Sequence, residues 1–285
     1  MDSAALVQRN VRETLASLFR RARRDLLISS PYVGCDGAEL VLSNITDSMR
    51  KSGTLTVLTD LSPLNICQSS TDPVAVLRVS KSIPRVQVRH LPRLHAKVYV
   101  ADNESAIITS ANLTAGGLAR NYEYGVELLD PVLVSHVRGD VAEYAQLGAL
   151  VGAEELIGYC DLARELRAAF EGQQRSISAT IKARFDKHLH EAEDELIRLR
   201  LAEGALHTVF AKTIHYLLRR HGPMTTQTLH PIIAAIHPDL CDDNVDRIID
   251  GKSFGKKWKH AARTAQQQLK KRGLIAFDGS RWRSI

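Results

Sequence analysis

Residues 95–114 read HAKVYVADNESAIITSANLT, and a histidine, a lysine, a serine and an asparagine stand out from this apolar, strand-like text. With the period-two alternation of a β-strand, His95, Lys97 and Tyr99 share one face while Leu94, Ala96, Val98 and Val100 take the other. Ser110 and Asn112 share a face in the same way. If the two strands are hairpin neighbours, imidazole, ammonium, hydroxyl and amide converge at one rim of a sheet. That set suits a phosphodiester: a nucleophilic or acid–base histidine, a cation for the non-bridging oxygens, and neutral donors to complete an anion cradle. No clustered Asp/Glu set accompanies the motif as a two-metal site would require. Neither a metal nor another cofactor is expected.

A sheet must carry these groups, and the preceding text supplies one. AALVQRNVRETLASLFRRARRD has Leu6, Val11, Leu15 and Leu18 on helical spacing. LLISSPYV is a strand broken by Pro31, and GAELVLSNITDSMRKSG returns to helix until Gly53. TLTVLTD is a strand, residues 72–82 a helix, RVQVRHLP a strand, and EYGVELLD another after the motif pair. This alternation predicts an α/β catalytic domain over residues 1–150. Residues 151–203 read as a helical bridge, with Ile177, Ile181, Phe185, Leu189, Leu196 and Leu199 at steps of mostly three and four.

Residues 204–285 read as a separate unit. HTVFAKTIHYLLRRHG is a helix stopped at Gly222-Pro223, and TTQTLHPIIAAIHPDL a second, capped by threonine, with Pro231 either starting or breaking its main part. KKWKHAARTAQQQLKKRG is a basic helix closed by Gly273, and LIAFDGSRWRSI a hairpin with an Asp278-Gly279 turn. Three helices and a hairpin is winged-helix order. In the basic helix Trp258, Ala262, Ala265 and Leu269 form one core-facing stripe. Lys256, Lys257, Lys259, Arg263, Lys270 and Lys271 decorate the rest, joined by Arg281 on the hairpin. Such a helix offers cations to phosphates, and Gln266, Gln267 or Gln268 to adenine edges. Trp282 reads as a core anchor.

Composition bounds the partners. The 285 residues are 44% hydrophobic and 25% charged, enough for one or two domains with a sizeable core. No run approaches the ~18 apolar residues of a membrane span, and MDSAALVQRNVRETL lacks a secretory apolar region. A cytoplasmic protein without membrane attachment is expected. The four cysteines, Cys35, Cys67, Cys160 and Cys241, sit far apart and read as buried thiols of a reducing compartment. Of the net charge of +6, the residues from Ala205 carry 14 Lys+Arg against 6 Asp+Glu, a balance of +8 that leaves −2 for the rest. That asymmetry points to a polyanion at the C-terminal end.

The opening stretch resembles the HxK-x4-D-x6-G-S-x-N motif of the phospholipase D superfamily. Here it reads His95-Ala96-Lys97, four residues, Asp102, six residues, then Thr109-Ser110-Ala111-Asn112, with threonine in place of the family's glycine. NYEYGVEL resembles the family's N-x-E segment, and LLISSPYV and LTVLTD its first strands, so the likeness covers residues 1 to about 135. It implies a mixed sheet sandwiched by helices and a two-step reaction through a phosphohistidine on His95. By the same resemblance Lys97 and Asn112 bind the non-bridging oxygens, Ser110 supports them, Glu123 orients the histidine, and Asp102 is structural. Thr109 is expected to crowd the turn slightly. None of the other ten histidines is followed by x-Lys. Single-motif members of this family join two copies across a two-fold axis, so a homodimer with both His95 side chains in one composite site is expected. The C-terminal unit resembles winged helices fused to restriction-type endonucleases.

The expectation is therefore a metal-independent phosphodiesterase, a restriction- or defence-like DNA endonuclease. The alternatives are a phospholipase or phosphatidyltransferase acting on lipid, and a DNA-binding regulator with an inactive fold of this kind. RNA as substrate stays open.

Overall fold

The computed structural model describes residues 4–8, 11–175, 179–202 and 204–285, with backbone alone at 173–175 and 179–182. The chain divides into two units, Met1–Leu196 and Ile197–Ile285. In order, the first contains β1 (Ala4–Val7), α1 (Val11–Arg21), β2 (Asp25–Ser29), α2 (Cys35–Asn44), α3 (Asp47–Ser52) and β3 (Thr54–Thr59). Then follow α4 (Pro63–Cys67), α5 (Pro73–Ser80), β4 (Arg85–His90), β5 (Val98–Ala101), β6 (Ser105–Thr109) and a π-helical turn at Gly116–Arg120. β7 (Gly125–Leu128), α6 (Pro131–Leu147), β8 (Ala149–Val151), α7 (Ala153–Arg175) and α8 (Ala179–Ala202) complete it, α8 crossing into the second unit.

The strands form one mixed sheet in the order β1-β7-β6-β5-β2-β3-β4-β8. β2, β3 and β4 are parallel, and the remaining pairs are antiparallel. All four residues of β5 are buried, so helices cover both of its faces. α1 turns Leu15, Leu18 and Phe19, spaced by three and one, onto the sheet, where Phe19 meets Tyr99 edge-on at 6.3 Å between ring centroids. Such a pair contributes roughly 0.5–1.5 kcal/mol beyond its burial. Local chemistry starts the helices where the sequence permits. Asp72 caps α5 by accepting from the Val74 N–H at 3.0 Å, with Pro73 next in line. Asp130 and Pro131 repeat the device at α6.

Several sequence expectations change. Residues 4–7 are not helix but an edge strand, paired antiparallel with β7 from Ala4↔Leu128 to Val7↔Gly125, which leaves Leu6 exposed. Helical spacing within so short a run is matched equally well by chance, and the partner strand decides. The helix expected from Gly37 to Gly53 is two, because Thr46 leaves helical geometry to cap α3 through the Met49 N–H at 3.2 Å. α4 was not anticipated. Of the stripe read through residues 177–199, Ile177 and the Ile181 side chain lie outside the described residues, while Phe185, Leu196 and Leu199 are buried. Cys35 is exposed rather than buried, its thiol directed at Asp72 at 3.2 Å. Among the described residues no helix is long and apolar enough to cross a membrane.

The second unit contains α9 (Leu206–His221), α10 (Thr226–Ile236), β9 (Asp246–Ile249), β10 (Lys252–Lys256), α11 (Lys257–Lys271), β11 (Ile275–Phe277) and β12 (Trp282–Ser284). Phe210, Ile214, Leu218, Leu229, Ile233, Trp258, Ala262, Ala265, Leu269 and Trp282 fill its core, so the expected stripe of α11 and the Trp282 anchor are both in place. Met224 and Trp282 exchange backbone hydrogen bonds of 2.9 and 2.8 Å, tying the start of α10 to the closing hairpin. Pro231 neither starts nor breaks α10 but sits inside it, where it forgoes one backbone bond. The β9–β10 hairpin was missed. Its turn, Asp250-Gly251, has positive φ at both residues (49° and 76°), the geometry that an Asp-Gly pair favours.

Candidate active site

β5 and β6 are antiparallel neighbours joined by residues 102–104, with Val98 opposite Ile108 and Ala101 opposite Ser105. The motif residues precede β5 or follow β6, so all four leave the hairpin at its open end. His95 and Lys97 are therefore not inside the strand, as alternation suggested, but at its approach. The Thr109 N–H still bonds the Lys97 carbonyl at 3.1 Å, extending the ladder one step. β5 is antiparallel to β2, so this rim also receives the ends of β2, β3 and β4.

Buried polar groups hold the rim from beneath. Ser29, at the end of β2, donates to the Ala96 carbonyl between His95 and Lys97 at 2.9 Å. Ser30 accepts the Leu113 N–H just beyond Asn112 at 2.9 Å. The Tyr99 hydroxyl donates to the Ala111 carbonyl between Ser110 and Asn112 at 3.0 Å, and burial raises its pKa far above the phenol range. Asp60 accepts the Arg93 N–H at 3.0 Å and so fixes the loop leading to His95. Sequence reasoning missed Ser29, Ser30 and Asp60, and named Tyr99 only as sharing a face with His95 and Lys97. Two glycines permit the close approach. A Cβ on Gly37 would lie 2.0 Å from the Leu113 carbonyl oxygen, and one on Gly117 2.4 Å from that of Asn112.

The hairpin's closed end is fixed by Asp102. Its carboxylate accepts from the backbone N–H groups of Arg23, Arg24 and Asp25 at 2.8–2.9 Å, stitching the start of β2 to the turn. Its φ of +48° suits an aspartate in a tight turn. The structural role read for Asp102 is the one its bonds describe.

At the rim itself, His95 and Ser110 are exposed and Lys97 is only 6% exposed. The Lys97 ammonium donates to the His95 carbonyl at 2.9 Å. Burial lowers its pKa below the usual lysine value, and the Glu123 carboxylate acts in the opposite direction. Glu123 engages Ser110 through a short hydrogen bond and accepts from the Asn121 amide at 3.1 Å. The Ser110 oxygen also accepts the Tyr124 N–H at 3.0 Å. Its one proton is thus committed to Glu123, which makes Ser110 a positioning group. The structure brings Glu123 to Ser110, whereas the resemblance had assigned it to His95. Asn112 Oδ1 is buried with no hydrogen-bond partner, a state that costs about 1–3 kcal/mol until something occupies it. Because the two ends of the amide are interchangeable by a flip, this position can equally present the NH2 donor.

Thr109 does not crowd the turn. Its cross-strand partner is Gly125, where a Cβ would stand 2.7 Å from that of Thr109. The glycine missing at 109 has its counterpart across the ladder, and the threonine hydroxyl donates to the Tyr124 carbonyl at 3.1 Å.

In the second unit Lys257, Arg263, Gln267, Gln268, Lys270, Lys271 and Arg281 are exposed. Lys256 pairs with Asp246 at 2.8 Å, and Lys259 lies 3.8 Å from Asp243 and 5.3 Å from the centre of the Trp258 ring. Gln266 corrects an expectation. It is 2% exposed and its amide donates to Thr226 Oγ1 at 3.2 Å, so it serves the core and is withheld from any base edge. Position 266 follows Ala265 in the buried stripe, and the width of that stripe takes both. Among the described residues no group of three or more His, Cys, Asp or Glu side chains is arranged to hold a metal ion.

Residues 15–144 match the family model described as cardiolipin synthase, PLD-like domain. Similar solved structures include Nuc from Salmonella typhimurium, a phospholipase D family member, at 15% identity and TM-score 0.43, covering 52% of this chain and 97% of that one. NucT from Helicobacter pylori follows at 16% identity and TM-score 0.37, with 48% and 91% covered. Phosphatidylserine synthase from Haemophilus influenzae Rd KW20 is similar at 14% identity and TM-score 0.45, with 65% and 46% covered. A comparison with curated proteins gives no significant match.

Proposed function

We propose that residues 15–144, which match a phospholipase D-like family model, act as a domain of that phosphodiesterase superfamily, and that the protein is a metal-independent nuclease acting on DNA. The observation that carries the reading is the rim: an exposed imidazole beside a buried ammonium and an unsatisfied amide. His95 attacks phosphorus and the P–O bond to the leaving group breaks, giving a phosphohistidine. A second imidazole protonates the departing oxygen, then takes a proton from the water that releases the phosphate. Lys97 and the Asn112 amide neutralise and hold the non-bridging oxygens, and Glu123 fixes the Ser110 hydroxyl that frames them.

The second imidazole comes from a second copy of the chain in this reading. Supporting it, Leu6, Val126 and Ile108 form a row across β1, β7 and β6 next to the rim, with Leu6 and Ile108 exposed. The C-terminal unit, read as a winged helix, supplies duplex or strand affinity through the exposed cations of α11 and Arg281. A defence role, cutting foreign DNA as restriction enzymes do, fits this pairing of units. The name of the matched family model favours one further reading, phosphatidyl transfer between lipids. The undiminished set His95, Lys97, Ser110, Asn112 and Glu123 speaks against an inactive regulator.

Cleavage of labelled single- and double-stranded DNA and of RNA in excess EDTA, beside His95→Ala, tests the proposal. Cleavage that survives EDTA and is lost in His95→Ala supports it. Turnover of phosphatidylglycerol vesicles without nucleic-acid cleavage would replace it with the lipid reading.

A further inference from the structure

We propose that Tyr122 and Tyr124 form a base-stacking platform beside the reacting phosphate and that the substrate is single-stranded nucleic acid, an inference that rests on the nuclease reading above. Tyr122 is 107% exposed and Tyr124 is 56% exposed, and they flank Glu123, whose carboxylate holds Ser110. Single exposed apolar side chains are ordinary on protein surfaces. Two phenol rings on either side of a carboxylate bonded into the site are not scattered in that sense.

Tyr124 is also anchored. Its N–H donates to Ser110 Oγ at 3.0 Å, and its carbonyl accepts from Ser110 N–H at 2.9 Å and from Thr109 Oγ1 at 3.1 Å. The backbone bond carries the β6–β7 pairing one step past Thr109↔Gly125, and the two hydroxyl bonds reinforce it. Tyr122 and Tyr124 stand one residue on either side of Glu123, in the stretch that leads into β7. The ring next to the site is thus carried on the same backbone that fixes Ser110, and its distance from the phosphate is set by the sheet. Residues two apart in extended chain reach roughly 6.6 Å, twice the ~3.4 Å rise between stacked bases, so two such rings can admit one base between them.

The surrounding chemistry points the same way. Between Ser110 and Gly125 the only acidic residue is Glu123, and Arg120, exposed at the end of the π-helical turn, supplies a cation two residues before Tyr122. Aromatic rings with an arginine are the means by which proteins take up strands whose bases have free faces. In a duplex those faces are covered by neighbouring base pairs, so a platform at the cleavage site gains nothing from intact double strand.

The test uses the full chain and a short fluorescein-labelled oligonucleotide, alone or annealed to its complement. Tyr122→Ala and Tyr124→Ala should each raise KM for the single strand at least about fivefold, with a smaller change in kcat, and Tyr122→Phe should restore it. Binding of the same strand to His95→Ala protein, followed by anisotropy, should weaken in parallel when either tyrosine is also replaced. Equal cleavage of strand and duplex, with KM unmoved by the alanines, would overturn the inference while leaving the nuclease reading standing. A shift from dimer to monomer in Tyr122→Ala on sedimentation would likewise overturn it, by assigning the rings to a subunit interface. If no nucleic acid is cut or bound by any of these proteins, the nuclease reading fails and the platform with it.

Discussion

In the N-terminal unit the candidate site rests on buried polar partners, Ser29 beneath Ala96, Tyr99 beneath Ala111 and Ser30 against Leu113, while Asp102 fixes the far end of the same hairpin across three backbone N–H groups. In the C-terminal unit the candidate DNA contacts Lys257, Arg263, Lys270 and Lys271 project from the exposed side of a helix whose other side is Trp258, Ala262, Ala265 and Leu269. One region holds its groups with polar partners, while the other lets an apolar stripe fix the helix and leaves the cations on its exposed side. A reacting centre needs the first arrangement, because catalytic geometry tolerates little displacement. A surface that meets phosphates by charge does well with the second.

The contrast can be broken by substitution. Asp102→Ala should have the largest effect, on the order of 3 kcal/mol, since three part-buried backbone donors lose one buried, charged acceptor together; a urea unfolding series measures it. Ser29→Ala should cost about 1–2 kcal/mol of stability, yet lower kcat by more than that loss explains, because the Ala96 carbonyl is left free to move His95 and Lys97. Equal, small effects on both quantities would mean that the rim does not depend on its undersupport.

Acid should affect the second unit through one buried group. His237 is fully buried, and desolvation, with the Arg200 charge next, holds its pKa well below the usual imidazole value of 6.5. Arg200 can only donate, so His237 Nδ1 accepts from it and Nε2 carries the proton toward Thr213, 2.6 Å away. The folded histidine stays neutral where the unfolded one gains a proton, so the unfolded state binds more protons below about pH 6.5. Stability of this unit should therefore fall as pH drops below that value, and be unaffected above it. Melting curves read between pH 7 and about pH 5 on Trp258 and Trp282 fluorescence would show it. The smallest stability effects belong to Lys257→Ala, Arg263→Ala and Lys270→Ala, each within about 0.5 kcal/mol. Each should nevertheless weaken DNA binding and reduce the salt slope by roughly 1. A large stability loss there would erase the distinction between the two units.

What was legible in the sequence follows the same division. Alternation along two supposed hairpin strands brought His95, Lys97, Ser110 and Asn112 to one rim as strand residues; they lie instead before β5 and after β6, and share an end because a hairpin brings those two positions together. The stripe of α11 was legible because four apolar residues at steps of four and three leave little choice of buried side. Gln266 was misread because the buried side is wider than its apolar members, and a glutamine bonded to Thr226 satisfies the core as well. The undersupport by Ser29, Ser30 and Tyr99 was invisible, since each bond runs to a backbone carbonyl or N–H, which no side-chain pattern reports. β1 was missed for a related reason: an edge strand of four residues is defined by β7, not by its own text.

The bond between the Lys97 ammonium and the carbonyl of His95 ties the positive charge to the peptide that carries the proposed nucleophile. The charge is tethered to the peptide that carries the imidazole, so a displacement of that peptide moves both together. Motion of the loop therefore carries the ammonium and the backbone of His95 together, while the exposed imidazole keeps its own rotation. In the proposed reaction, alignment then comes down to two adjustments, the seating of the phosphate against this tether and the choice of one imidazole rotamer.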